Sequence, residues 1–310
     1  MKIQESIRSH WRTVTAIAFA GAVFCLWYFK YPHVLSARES SVLFVWDWTY
    51  VADRLAMPWG WAGLLWAFVE QWFFDTMLGA VLMAVLSLAA LGLTYGLLRW
   101  LLCRRRPGSL RRSIAFAVSF LPALLVCYLP LHPLGGTEEE MAYDYQLRQG
   151  DWRAILRQYT QQPPRSMACN SAAALAFFKT GQMDEQTLAH AVPVTRQVMS
   201  GRTASFIMSD IYMETGLVSM AQRCAFEAME SIEDFNKSGR ALVRLTECSL
   251  VNGQTEVALK YIALLEKTVF YRRWALRMRQ WAEHPERIST HPTYGRLRKL
   301  NEHAKDTFFM

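Results

Sequence analysis

Two long apolar stretches, separated by a short arginine-rich loop, dominate the first half of the chain. The first covers residues 77–102 and begins with 22 residues that carry no charged side chain, and the second covers residues 113–131. An α-helix rises ~1.5 Å per residue, so about 20 apolar residues cross the ~30 Å hydrocarbon core of a bilayer. The pattern therefore predicts two membrane helices joined by a hairpin loop.

A third apolar run, residues 13–29, follows a short basic amino-terminal segment. A cleaved signal peptide also begins with basic and then apolar residues. However, the run ends in Leu-Trp-Tyr-Phe-Lys-Tyr-Pro, which contains no small-residue cleavage site and is typical of an aromatic belt at a membrane interface. We therefore interpret it as an uncleaved first crossing with the amino terminus in the cytoplasm.

The loop between the two longer stretches fixes the expected orientation. It contains five arginines, at 104–106 and 111–112, and short loops rich in Lys and Arg stay on the cytoplasmic side. Residues 59–75 are rich in Trp and Phe, but a full crossing there would send the arginines outside. We therefore predict an interfacial or re-entrant helix at 59–75 and three crossings, with four as the alternative. Three crossings leave the chain after Leu131 outside the cytoplasm.

From residue 138 onward charged residues are regularly spaced and helix formers dominate, which predicts an all-α protein. We expect a transmembrane domain at 1–131, a linker at 132–137 and a soluble domain at 138–310. Glycines at 150, 181, 216 and 253 recur at intervals of 31, 35 and 37 residues, and alanines follow them at 221 and 258. This spacing resembles the tetratricopeptide pattern, in which glycine ends one helix and alanine permits close helix packing. An ordinary helical bundle is the alternative.

Two stretches carry a more specific resemblance. One is Pro58-Trp-Gly-Trp-Ala-Gly with Phe68-Val-Glu-Gln-Trp-Phe-Phe, and the other runs from Asn236 to Ala275. Both resemble an uncharacterised family of polytopic inner-membrane proteins from Gram-negative anaerobes, classed only as of unknown function. The resemblance implies a multi-pass membrane protein with a tetratricopeptide-like carboxyl-terminal part. It also implies that this chain is a shortened member, and it supplies no catalytic residues.

Charge and cysteine content narrow the functional classes. The formal net charge is +8, but 12 of the 34 Lys and Arg residues, against 6 of the 26 Asp and Glu residues, precede residue 132. Membrane orientation explains that excess, so we exclude a nucleic-acid partner and expect membrane lipid as one partner. The six cysteines include no Cys-x-x-Cys pair, and the histidines lack metal-ligand spacing. We therefore predict neither a metal site nor a cofactor.

One group of acidic residues suggests chemistry. Glu39, Asp47 and Asp53 lie in the expected outer loop between the first crossing and the Trp-rich helix. Polytopic lipid-linked glycosyltransferases resemble this layout, since they place an acidic residue in the first outer loop to bind a metal or act as a base. A partial or degenerate enzyme of that kind is the alternative hypothesis. Solvated carboxylates without a catalytic role are the ordinary interpretation of such a loop.

The leading hypothesis is a non-enzymatic scaffold or envelope-assembly component. It would be a multi-pass inner-membrane protein that displays its helical repeats in the periplasm to bind a protein partner, because helix-pair arrays form concave surfaces suited to peptides and helices. A membrane part that merely anchors the repeats is a third possibility. The residues expected to face the partner are Tyr212, Arg223, Arg244, Lys260 and Arg273.

Overall fold

The structure is a computed structural model. The structure describes residues 2–103, 109–131, 135–194, 199, 201–232 and 237–303, and only the backbone of residues 2–9, 103, 109, 302 and 303. Three features of the sequence lie outside these residues: the arginines at 104–106, positions 132–134 of the expected linker, and the apolar carboxyl-terminal end at 308–310.

The described chain is all-α, which confirms the predicted fold class, and contains 17 α-helices. In chain order the α-helices are α1 (Lys2–Cys25), α2 (Pro32–Glu39), α3 (Trp48–Leu55), α4 (Gly60–Glu70), α5 (Thr76–Cys103), α6 (Ser109–Val118), α7 (Phe120–Tyr128), α8 (Glu138–Gln149), α9 (Trp152–Gln161), α10 (Met167–Lys179), α11 (Glu185–Ala191), α12 (Arg202–Glu214), α13 (Val218–Glu230), α14 (Gly239–Val251), α15 (Thr255–Leu265), α16 (Arg272–Glu283) and α17 (Tyr294–His303). A π-helix, Leu26–Lys30, continues α1, and 3₁₀ helices cover Gln71–Phe74, Leu129–Leu131 and Pro285–Thr290.

The chain divides into two compact units that are not contiguous in sequence. The first, which we call the membrane unit, comprises Met1–Ser36 and Trp72–His132; the second, which we call the helical unit, comprises Ala37–Gln71 and Pro133–Met310. Residues 37–71, the inserted segment, therefore pack with the carboxyl-terminal helices although they lie between two apolar stretches. The expected transmembrane domain at 1–131 and soluble domain at 138–310 concern which residues lie in the membrane and which lie in solvent. That division stays a prediction.

Three helical stretches are long and apolar enough to cross a membrane: His10–Lys30, Thr76–Leu102 and Leu110–Leu131. These agree with the three predicted crossings and indicate a multi-pass membrane protein. The Trp-rich residues near 59–75 instead form the 11-residue helix α4 and a 3₁₀ turn, too short to cross the ~30 Å core.

Within the membrane unit, α5 packs against α1, α6 and α7. Leu91, Phe116 and Ala123 form a small buried cluster among these helices. Proline lacks the N–H that would bond to the carbonyl four residues earlier, and Pro122 accordingly follows the break between α6 and α7. Nothing approaches the Cβ positions of Gly92 and Gly96 within 4 Å, so no described helix occupies their small-residue surface.

In the helical unit, most consecutive helices pack against each other, from α8 and α9 to α15 and α16. The four recurring glycines all have positive φ, between 65° and 84°, and each follows the end of a helix. Ala221 and Ala258 are buried where their helices join the main core. The local turn chemistry predicted from the sequence is therefore confirmed, whereas a tetratricopeptide-like array stays a prediction.

Backbone strain at one of these glycines can be measured without interference from packing. Gly181 has φ +76°, and a Cβ there would meet nothing within 4 Å. Since a left-handed conformation costs an L-residue about 1–2 kcal/mol, Gly181→Ala is expected to lower the free energy of unfolding by about 1 kcal/mol. Chemical denaturation of the detergent-solubilised protein measures this change.

Gly63→Ala is the matched control, because its Cβ would also meet nothing within 4 Å but the backbone is helical. Alanine has a higher helix propensity than glycine, so this variant is expected to be neutral or slightly stabilised. Equal destabilisation of the two variants would contradict the assignment of a required left-handed turn at Gly181.

Candidate functional site

Between α2 and α3 the inserted segment crosses the helical unit as a strip without regular secondary structure, residues 42–47. Leu43 and Val45 are buried in the main hydrophobic core, and Phe44 is buried between them in sequence. Phe44 makes edge-to-face ring contacts with Tyr50 and Phe68 of the same segment, with ring centroids 5.8 and 5.4 Å apart. The strip therefore contacts the main core through Leu43 and Val45, and the helices of its own segment through Phe44.

Polar contacts fasten the start of the strip. The hydroxyl of Tyr271, just before α16, donates a hydrogen bond to the Glu39 carboxylate, and the Arg148 guanidinium lies 3.6 Å from the same carboxylate. Burial, and after it the Glu39 charge, raise the pKa of Tyr271 well above its usual value, so the hydroxyl remains a donor. A Cβ at Gly239 would collide with the Tyr271 ring, so only glycine permits this ring position.

Two serines next to Glu39 add further anchors. Arg148 Nη1 donates to Ser40 Oγ at 3.1 Å, and Arg202 Nη1 donates to Ser41 Oγ at 2.6 Å. The two arginines belong to α8 and α12, so the strip is held by helices that are far apart in sequence. Hydrogen bonds from charged donors contribute roughly 1.5–3 kcal/mol each when partly buried, so these contacts are substantial.

The end of the strip is held at Asp47. This carboxylate accepts a hydrogen bond from the Thr49 backbone N–H at 2.9 Å, which caps α3, and it pairs with the Lys267 ammonium. Beside this pair, the Trp46 backbone N–H donates to the Lys267 carbonyl at 2.8 Å. The hydrogen bonds from Lys267 and Thr49 lower the pKa of Asp47, so the carboxylate is ionised at neutral pH.

A cavity of about 380 Å³ opens beside Asp47. Its lining combines acidic, basic and apolar side chains. Its lining residues are Leu43, Val45, Asp47, Thr49, Tyr50, Asp53, Arg54, Met57, Lys237, Leu264 and Lys267. The structure thus brings Asp47 and Asp53 to one cavity, while Glu39 lies buried under Tyr271 and does not line it.

A second polar centre lies among α8, α12 and α14. Arg240 donates two hydrogen bonds of 2.7 Å to Asp144 and one to Asp210, and Arg244 donates to the other oxygen of Asp210 at 2.7 Å. Burial works against ionisation of Asp210, but the two guanidinium groups together lower the pKa of its carboxyl. Removing one member of such a buried network typically costs about 3–5 kcal/mol, because a charge is left uncompensated.

The residues expected to face a partner are not brought together. Tyr212 is fully buried, and its hydroxyl donates to the Pro193 carbonyl at 2.6 Å. Arg223 pairs with Glu227, and Arg244 belongs to the buried network with Asp210. Lys260 and Arg273 are exposed on α15 and α16. Of the five, these two have the exposure that partner binding requires.

The sequence did not predict that the carboxyl group at the end of α4 is buried. Glu70 is 2% exposed and lies 3.6 Å from the Arg38 guanidinium, and its Oε1 accepts no hydrogen bond from the described residues. Burial raises the pKa of Glu70 to about 7, because it outweighs the attraction of Arg38 and Arg202. The sequence shows only a single acidic residue in an aromatic run, which gives no signal of burial.

Contacts within the helical unit constrain how often the chain crosses the membrane. The inserted segment follows the first apolar span, and the helices that hold it follow the third. Because Glu39 and Tyr271 touch, these two parts lie on the same side of the membrane, which requires an even number of crossings between them. The spans in α5 and in α6–α7 satisfy this requirement. An additional crossing at 59–75 does not, so the geometry favours three crossings over four.

Stability is expected to fall as pH rises through the range in which Glu70 loses its proton. The folded-state pKa of Glu70, about 7, lies above its ordinary value of 4.5, so this contribution to stability is fully present below pH 4.5 and is lost as pH rises through about 7. Glu70→Gln is expected to raise the melting temperature of the detergent-solubilised protein at pH 8 by several degrees, and to leave it unchanged at pH 4.5. Thermal melting at both pH values measures the difference.

Glu256→Gln, at an exposed carboxylate of α15, is the matched control and is expected to leave the melting temperature unchanged at both pH values. A Glu70→Gln variant that melts lower than the wild type at pH 8 would show that the ion pair with Arg38 outweighs the cost of burying the charge.

The same-side geometry predicts the labelling of single cysteines in intact cells. Asp53→Cys and Lys260→Cys, both at exposed positions, are expected to react alike with a membrane-impermeant maleimide when Cys25 and Cys103 are replaced by Ser. Ser109→Cys, between the second and third spans, is expected to behave oppositely. Opposite labelling at positions 53 and 260 would contradict three crossings.

Comparison with known proteins gives one assignment. No curated protein and no solved structure matches the chain. A family model matches residues 9–134 and 131–310, nearly the whole chain, and confirms the resemblance to a family of unknown function. The bacterial group, the inner-membrane position and the tetratricopeptide-like part implied by that resemblance stay predictions. The chain belongs to DUF6057, a family of unknown function.

Proposed function

We propose that the protein is a non-enzymatic scaffold of a bacterial inner membrane, whose carboxyl-terminal helices bind a protein partner in the periplasm. One observation supports the proposal: these helices already hold a strip of their own chain, residues 42–47. The strip uses a backbone hydrogen bond at Trp46 and apolar side chains at Leu43 and Val45, two kinds of contact by which domains also bind peptides.

Charge and the same-side geometry support the proposed compartment. Arg111 and Arg112 lie at the start of the third span, next to the loop between the second and third spans, and arginine-rich short loops stay in the cytoplasm. With that loop inside, both the inserted segment and the carboxyl-terminal helices lie outside the cytoplasm. A tetratricopeptide-like arrangement is supported by the glycines with positive φ and by the small buried alanines of α13 and α15.

The alternative, a partial lipid-linked glycosyltransferase, depends on the three acidic residues. Glu39 is engaged by Tyr271 and Arg148, and Asp47 caps α3 and pairs with Lys267, so both have structural partners. Among the described residues, no group of three or more His, Cys, Asp or Glu side chains is arranged to hold a metal. Asp53, exposed at the cavity, is the carboxylate best placed for the enzymatic alternative.

Site-specific crosslinking in intact cells tests the scaffold. A photoreactive amino acid at Lys260 or Arg273, the exposed candidates on α15 and α16, is expected to give the same discrete adduct, because adjacent helices present one surface to one partner. Arg153, exposed on α9, serves as the control position and is expected to give none. Electrophoresis and mass spectrometry of the adducts give the measurement.

The enzymatic alternative is tested in the same cells. Asp53→Asn is expected to leave both the protein level and the adduct unchanged, since the side chain is exposed and no described residue forms an ion pair with it. Loss of an envelope glycan in the Asp53→Asn strain at normal protein level, with the adduct unaffected, would reverse the order of the two hypotheses. If the membrane unit is exchanged for an unrelated anchor and the adduct is retained, the membrane unit serves only to anchor the helices.

A further inference from the structure

The positive charge of the helical unit is concentrated near its carboxyl-terminal end. Residues 260–299 contain ten Lys and Arg side chains against three Asp and Glu, whereas residues 138–259 contain 11 against 15. Uneven charge of this kind favours association with a partner of opposite sign. Helix α16 lies in the middle of the basic stretch and carries four of its ten basic residues.

One face of α16 presents arginines to solvent. Over the first nine residues of the helix, the exposed positions are Arg272, Arg273, Leu276, Arg277 and Gln280. Residues four apart lie on the same side of a helix, so these positions form one face, which we call the arginine face. The other side of the helix is occupied, because Ala275, Met278 and Ala282 are buried in the main hydrophobic core. Leu276, 47% exposed, gives the arginine face one apolar side chain.

The acidic residues of the basic stretch do not neutralise this face. All three have other partners, which are Arg279 for Glu266 and Glu283, at 2.5 and 3.6 Å, and His284 for Glu286, at 3.5 Å. Arg273 and Arg277 form no ion pair with a described residue. Within the part of the chain that the structure describes, their charges are therefore exposed and uncompensated.

The position of the arginines is unfavourable for the helix itself. The amino-terminal end of a helix carries a partial positive charge, and the first turn of α16 holds Arg272 and Arg273 without an acidic residue. Arg273 and Arg277 are four residues apart, a spacing at which like charges destabilise a helix. Natural proteins break such local rules mainly where function requires it, so the arginine face is better explained by binding than by folding.

We propose that the arginine face binds an acidic segment of the protein partner, in which carboxylates flank an apolar residue. The inference rests on the proposed scaffold function and names the chemistry of its partner. The guanidinium groups of Arg273 and Arg277 bind carboxylates through paired N–H donors, and Leu276 beside them contacts the apolar side chain. An anionic bilayer fits less well, because an interfacial helix turns its apolar face outward, whereas the apolar face of α16 is in the core.

Photocrosslinking in intact cells tests the proposal. A photoreactive amino acid replaces Gln280, which leaves every arginine of the face in place. We expect a protein adduct whose crosslinked partner peptide contains several Asp or Glu residues, identified by mass spectrometry. Arg273→Glu combined with Arg277→Glu is expected to lower the adduct yield about tenfold or more, because like charges facing each other across an interface oppose association. Arg273→Lys with Arg277→Lys preserves the charge and is expected to retain most of the adduct.

The matched control reverses two charges at the same helical spacing elsewhere. Arg153 and Arg157 are exposed on α9, and Arg153→Glu with Arg157→Glu is expected to leave the adduct at position 280 unchanged. The α16 reversal is expected to melt no lower than the wild type, because acidic residues in the first turn suit the helix dipole. A loss of adduct then reports binding rather than unfolding.

The outcomes separate this inference from the proposed function. A protein adduct at position 280 that is as abundant after the α16 reversal would overturn the acidic partner but not the scaffold. Equal losses in the α16 and α9 variants would also overturn it, and so would a phospholipid adduct in place of a protein, which would identify a bilayer surface as the occupant. Absence of a protein adduct at positions 260, 273 and 280 would contradict the scaffold and this inference with it.

Discussion

The hold of the carboxyl-terminal helices on the inserted segment is the interaction on which the rest of the structure depends. Glu39, 2% exposed, would be an uncompensated buried charge without the hydroxyl of Tyr271 and the guanidinium of Arg148. Effective penalties for such charges amount to several kcal/mol, so the carboxylate and its partners stabilise one another only when the strip is in place. The adjacent burial of Leu43 and Val45 adds about 1.5–3 kcal/mol for each side chain.

Sequence reasoning succeeded where a local property decides the structure. The three spans are apolar over a bilayer's length, and no tertiary contact is needed to identify them. The helix ends at Gly216 and Gly253 follow from the cost of a Cβ in left-handed backbone, which is again local. The break before Pro122 has the same character, because the missing N–H acts on the carbonyl four residues earlier.

The site could not be predicted because its partners are distant in sequence. Glu39 and Tyr271 are 232 residues apart, and Asp47 and Lys267 are 220 apart, in a chain with many other charged residues. No periodic pattern links such positions, so a solvated or catalytic loop was the natural interpretation of the acidic residues. The burial of Tyr212 could not be predicted for a related reason. Helix α12 packs against α8, α10 and α13, so its neighbours bury much more of its surface than one apolar stripe.

The intramolecular strip also limits which surface is available to the proposed partner. A segment tethered to its own binding surface acts at an effective concentration of the order of millimolar. A partner peptide with a Kd of about 1 μM, present at about micromolar concentration, therefore fails to displace a strip that binds equally well. Because the surface under residues 42–47 is already filled in this way, a partner gains more by binding helices that remain uncovered. The exposed side chains of Lys260 and Arg273 lie on such helices, and the strip acts to stabilise the surface beside them rather than to compete for it.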